Sequence, residues 1–263
     1  MKMMNFYFPF HLVSMSPWPL MMSLNLLLFF LMVLKFFFEF NNIMLIIVLI
    51  NLLLIMYQWW RDVIRESTFQ GDHSNKVYSM LRLGMFMFIL SEIMFFLSFF
   101  WCYFHMYLSP SLEIGLNWPP MIINVFNPYN IPLLNTILLL SSGVTITWCH
   151  FSILNKFKLD AFFSIFLTLF LGILFTFYQY KEYKESYFCI NDSVYGSIFF
   201  MSTGFHGMHV LIGTLFIMIC FYRLMKNQFS LIHHLGFEMS SWYWHFVDIV
   251  WLFLYLFVYW ICY

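Results

Sequence analysis

Residues 83–112 read LGMFMFILSEIMFFLSFFWCYFHMYLSPSL, and Glu92 is the one charged side chain among them. A helix of roughly 20 apolar residues crosses the hydrocarbon core of a bilayer, so this stretch is long enough to span it with tilt to spare. Working outward, similar stretches lie at 17–34 and 41–60 before it, and at 131–154, 161–180, 193–222 and 235–263 after it. That makes seven candidate transmembrane helices. The second is the weakest by composition, because its strongly apolar part is only 43–57 and it needs Trp59 and Trp60 as interfacial anchors.

Composition agrees with this reading. The 263 residues are 63% hydrophobic, 24% aromatic and 9% charged, against roughly 25% charged in soluble domains. A water-soluble globule of this size lacks the polar surface it needs, so an all-α polytopic membrane protein is expected. Twelve basic and twelve acidic residues balance, and without a basic block a nucleic-acid partner is not expected. The five cysteines, Cys102, Cys149, Cys189, Cys220 and Cys262, form no C-x-x-C pair, and are read as small apolar fillers.

Phe (37) and Met (20) are abundant while Ala161 is the only alanine. Alanine, glycine and proline codons are rich in G and C, so the skew suggests an A+T-rich genome such as an organellar one. The start, MKMMNFYFPFHLV, resembles neither a transit peptide nor a cleavable signal. A protein made in the compartment where it is used is the expectation.

Seven spans make the gaps alternate sides, and the charges test the count. Lys2, Arg61, Arg65, Lys76, Arg82, Lys156, Lys158, Arg223 and Lys226 fall on one side, and Lys35, Lys181 and Lys184 on the other. Acidic residues divide evenly, with Glu113 and Glu182 among those read as lying in gaps on the second side. The Lys/Arg bias puts the amino terminus on the side of synthesis and the carboxyl terminus opposite. The polar segment 58–76 suggests a break within a single polytopic domain, 1–263, between a two-helix bundle (17–60) and a five-helix bundle (83–263).

Ionisable groups inside spans mark functional or packing sites. Desolvation favours the neutral form of Glu92, which reads either as a proton-handling carboxyl or as an acid hydrogen-bonding between helices. His206 and His209 share a helical face, beside Thr203, Gly204 and Gly207, small residues that would let another helix approach. In the last span His245 and Asp248 repeat the spacing, so an imidazole N–H could meet the carboxylate. Together with Glu92 they are expected to form one buried polar layer.

Haem or metal ligation is not expected: His206 and His209 are too close to serve two depths, and His105 and His150 sit near span ends. On the more basic side, Arg61, Asp62, Arg65 and Glu66 allow helical ion pairs at three- or four-residue spacing. Trp59, Trp60, Arg61, Arg65, His73, Arg82 and Arg223 form a candidate set for anionic lipid phosphates. Gly84, Gly143 and Gly172 are isolated, and no paired broken helices suggest a carrier.

Seven runs then carry a family resemblance: HLVSMSPWPL (11–20), MYQWWRDVIRESTFQGDHS (56–74), SEIMFFLSFFWCYFH (91–105), NPYNIPLLNTILLLSSGVTITWCH (127–150), VYGSIFF (194–200), TGFHGMHVLIG (203–213) and HHLGFEMSSWYWHFVDIVWLFLY (233–255). In this order they closely resemble cytochrome c oxidase subunit III of mitochondrial genomes, over nearly the whole chain. The resemblance implies seven transmembrane helices, two and five, separated by a lipid-filled cleft, in the mitochondrial inner membrane. It implies a core subunit without a redox centre, in an enzyme that passes electrons from cytochrome c to oxygen and pumps protons. Haem and copper would belong to core subunits I and II; those, accessory subunits and phospholipids would be the partners.

By motif, Glu92 in SEIMFF matches the family's buried carboxyl, and Arg65 in VIREST and Arg223 in CFYR match basic positions that meet lipid headgroups. Two departures stand out. The family's G-H-H after FQ is here Gly71, Asp72, His73, and its double histidine after ITW is His150 followed by Phe151. An independent seven-helix proton or solute carrier is the alternative, which co-purification with haem- and copper-bearing partners would discriminate.

Overall fold

The computed structural model describes residues 10–11, 13–40, 42–112 and 115–263. Lys2, Asn41 and Glu113, used above for span ends and charge sides, lie outside the described residues. Among the described residues 78% are helical and there is no strand. In hydrocarbon every backbone N–H and C=O needs an internal partner, which a helix supplies within one segment. Among the described residues seven helices are long and apolar enough to cross a membrane.

These are α1 (Trp18–Glu39), α2 (Ile43–Arg65), α3 (Asn75–Leu108), α4 (Ile131–Leu154), α5 (Lys158–Glu185), α6 (Ser193–Met225) and α7 (Leu235–Leu254). Proline sits in the first turn of α1 and of α4, where its missing N–H costs no helical bond. Asn227 follows α6 in a left-handed conformation, and α3 stops shortly before Pro110.

Several helices outrun their apolar stretches. α2 continues past Trp60 to Arg65 and then widens into a π-helical turn, Glu66–Gln70, closed by Gly71 at φ 72°. The Ser67 and Thr68 hydroxyls both donate to the Ile64 carbonyl, at 2.8 and 2.7 Å. Such side-chain competition for a helical carbonyl accompanies widening of the turn. α5 runs to Glu185 because Gln179 and Glu182 continue its buried face. Within the polar segment 58–76, only 71–74 is non-helical.

The chain divides into two compact units, Met1–Leu81 and Arg82–Tyr263. In the first, α1 and α2 pack against each other. The Trp18 indole donates to Asp62 Oδ2 at 2.7 Å, tying the start of α1 to the end of α2.

In the second unit α4 packs on α5 and α7, and α6 on α5 and α7. α7 is the axial element: 61% of its apolar window is buried, against 33–39% for α4, α5 and α6. Trp244 and Trp251 of α7 are enclosed with Phe175, Phe199 and Tyr259. Close approach occurs at isolated glycines, where a Cβ on Gly172 or Gly213 would come within 2.8 and 2.9 Å of the Trp244 ring. Gly207, expected to admit a neighbouring helix, instead faces open space, with nothing within 4 Å of a Cβ placed there.

Candidate functional site

Three polar groups among the described residues of the second unit join side chains from different parts of the chain. The first joins α3 to α6. His209 Nε2 lies 3.0 Å from Glu92 Oε2, and His209 Nδ1 lies 2.6 Å from the Phe205 carbonyl. A carbonyl cannot donate, so Nδ1 carries a proton, and the contact with Glu92 must contain a second one. That proton sits either on the carboxyl or on the imidazole, and the pair is net neutral in both cases. Phe96 and Tyr243 pack around the His209 ring at centroid distances of 5.1 and 6.3 Å.

His206, three residues away, points elsewhere. Its Nε2–H donates to the Val247 carbonyl of α7 at 3.2 Å, and its ring packs on Phe175 and Trp251. His245 and Asp248 do not form the hydrogen bond their spacing suggested: Nδ1 and Oδ2 are 3.9 Å apart. Asp248 instead faces α4, where a Cβ on Gly143 would come within 2.7 Å of Oδ2. The side chains expected to make one layer are thus held by different partners.

The second group centres on Glu182, which the sequence places in a gap just past the stretch 161–180. Glu182 is fully buried, and Tyr259 donates to its Oε1 at 2.6 Å. Close by in sequence, Gln179 Oε1 accepts from Asn135 Nδ2 at 3.5 Å. The signal was in the spacing: Ala161, Ser164, Thr168, Gly172, Phe175, Gln179 and Glu182 recur at three and four residues, and all are buried.

The third group lies where the helices end. His150, in the last turn of α4, places Nε2 3.2 Å from Nε2 of His234, which immediately precedes α7. His234 Nε2 is in turn 3.2 Å from Glu238 Oε1. Arg82 grips the same carboxylate, Nε to Oε2 at 3.0 Å and Nη2 to Oε1 at 2.7 Å. Arg82, a candidate for lipid phosphate by sequence, thus meets a carboxylate, whose two oxygens match its planar fork.

Other candidate lipid residues lie at helix ends. In the first unit Arg61 pairs with adjacent Asp62 at 3.1 Å, not with a residue one turn on. Glu66 is met by His11 at 3.3 Å and by Ser14 at 3.2 Å. Trp59, half-buried, lines a groove with Trp18, Asp62, Arg65, Glu66 and His73; Trp60 and Arg65 are exposed. In the second unit Arg223 donates to Gln228 at 3.3 Å, with its guanidinium 4.6 Å over the Phe229 ring.

A chain of apolar helices with enclosed polar pairs fits membership of a membrane assembly, and sequence comparison identifies which. Residues 8–263 match the family described as cytochrome c oxidase subunit III. The chain is 52% identical to cytochrome c oxidase subunit 3 of Drosophila melanogaster over 96% of each chain. It is 52% identical to the protein of that name from Heterololigo bleekeri, over 96% of this chain and 97% of that one. For the Locusta migratoria protein the figure is 54%, over 96% of each. The chain belongs to the cytochrome c oxidase subunit III family.

Proposed function

We propose that this chain is a non-redox core subunit of an oxidase that passes electrons from cytochrome c to oxygen and pumps protons. Membership of the family makes it a multi-pass inner-membrane component of the oxidase complex, with other oxidase subunits as its partners. The finer reading is that subunits I and II hold the haem and copper, that accessory subunits complete the assembly, and that this chain steadies the core and supports proton uptake. The single observation that carries the reading is the match along 96% of the chain at about half identity.

The amino terminus is assigned to the matrix and the carboxyl terminus to the intermembrane space, on the nine-to-three excess of basic residues. Phospholipid is the proposed ligand of the basic helix ends. Arg61 and Arg65 of the first unit, with Trp59, Trp60 and His73 beside them, suit an anionic headgroup. Arg223 in the second unit, aligned on Phe229, does the same.

A tagged chain isolated from mild detergent tests the assignment. Haem- and copper-bearing subunits and phospholipid should accompany it in fixed ratio, with the reduced-minus-oxidised spectrum of the oxidase. A folded chain that runs alone would overturn it.

A further inference from the structure

We propose that His150, His234 and Glu238 form a binding site for a divalent transition-metal ion, with Zn2+ the best match. Their ligand atoms lie within 4.8 Å of one another. Two of the separations, between the imidazole Nε2 atoms and between His234 Nε2 and Glu238 Oε1, are 3.2 Å. A tetrahedral zinc bound at about 2.0–2.1 Å sets its ligand atoms roughly 3.3 Å apart. The three side chains are nearly at that spacing already.

The surrounding hydrogen bonds point the same way. His234 Nδ1 donates to the Ser230 carbonyl at 3.1 Å, which turns Nε2 toward Glu238 and His150. Metal-bound imidazoles are held by just such a second bond, and bound carboxylates by donors like Arg82. His234 Nε2 and Glu238 Oε1 face each other at 3.2 Å, with His150 Nε2 equally near His234 Nε2, so one cation among them would engage all three atoms. Glu238 and His234 are buried, His150 is half-buried, and helix ends are where an aqueous ion arrives.

The ligand set also fixes the class of ion. Two imidazoles and one carboxylate suit zinc, whereas magnesium and calcium prefer sites built of oxygen. The ion would clip the end of α4 to the start of α7, with Arg82 of α3 held on the shared carboxylate.

The full chain, inserted during synthesis into lipid nanodiscs and checked for helical content, is titrated with Co2+ as a spectroscopic probe and then with Zn2+. One Co2+ per chain should bind with the visible absorption of a four-coordinate centre, and Zn2+ should displace it. His234→Gln should weaken binding by more than about 100-fold, beyond the 10- to 100-fold typical of outer-shell changes. His105→Gln, at the other end of α3, should leave it unchanged. Failure of the folded chain to bind either ion, or equal affinity in His234→Gln, overturns the site. Should His234→Gln not fold, the assembled oxidase decides. Added Zn2+ should protect His150 from carbethoxylation by diethyl pyrocarbonate, read by peptide mass spectrometry, and absence of protection overturns the site as well.

Discussion

Tyr259, near the carboxyl end of the chain, donates its phenolic hydrogen to Glu182 Oε1 at 2.6 Å, and both side chains are fully buried. Glu182 Oε2 has no hydrogen-bond partner among the described residues. A carboxyl so enclosed depends heavily on that one donor.

Tyr259→Phe should therefore destabilise the chain. It strands a buried polar group, which costs about 1–3 kcal/mol. Thermal unfolding in a fixed detergent reads this as a lower midpoint. Pairing it with Glu182→Leu should restore much of the loss, because replacing both partners with apolar groups is far less costly than removing one. A double variant no more stable than Tyr259→Phe would refute this account.

At Glu92 and His209 the prediction concerns a shared proton. Glu92→Gln can still donate, from its amide to His209 Nε2, so the link between α3 and α6 survives. His209→Phe removes the partner and leaves Glu92 alone, so it should cost more, by about 1–3 kcal/mol. The order of the two unfolding midpoints checks this, and a larger loss in Glu92→Gln contradicts it.

What could be read from sequence, and what could not, follows from the range of the forces. The seven spans were visible because hydrocarbon thickness imposes a length on each helix separately. Where α2 and α5 end was not, because those ends depend on partners distant in sequence: Trp18 for Asp62, Tyr259 for Glu182. Glu92 was recognisable as an acid in an apolar run, but nothing local said that His209 and not His206 would meet it. His150, His234 and Glu238 were each in plain view, and only the fold brings residues 84 apart to 3.2 Å.

In the first unit Trp18→Phe should loosen the hairpin of α1 and α2. The indole N–H to Asp62 Oδ2, at 2.7 Å, is a charge-assisted bond, but Asp62 is one-third exposed, so a loss of about 0.5–1.5 kcal/mol is expected. Hydrogen exchange of the amides from 62 to 70, at the end of α2 and in the π-helical turn after it, should quicken, and that of the α7 amides should not. Unchanged exchange at 62–70 would show the bond to be dispensable.

Trp244 makes the sharpest packing prediction. Its ring fills space left by Gly172 of α5 and Gly213 of α6, while its Nε1–H donates to Ser142 of α4 at 2.8 Å. A methyl group at Gly213 would meet ring atoms at 2.9 and 3.1 Å; at Gly172 it would meet Thr214 Cγ2 at 2.7 Å and the ring at 2.8 Å. The indole cannot retreat without giving up Ser142, so the helices must part. Gly172→Ala and Gly213→Ala should each cost about 1–3 kcal/mol, the range for overfilled cores. Gly84→Ala, in a helix with nothing within 4 Å of its added Cβ, should be neutral or stabilising by up to about 1 kcal/mol, because alanine is the better helix former. Thermal midpoints of the three variants in one detergent separate the effects. If Gly84→Ala proved as harmful as the other two, helix propensity or the outer surface, and not the fit around Trp244, would be setting stability.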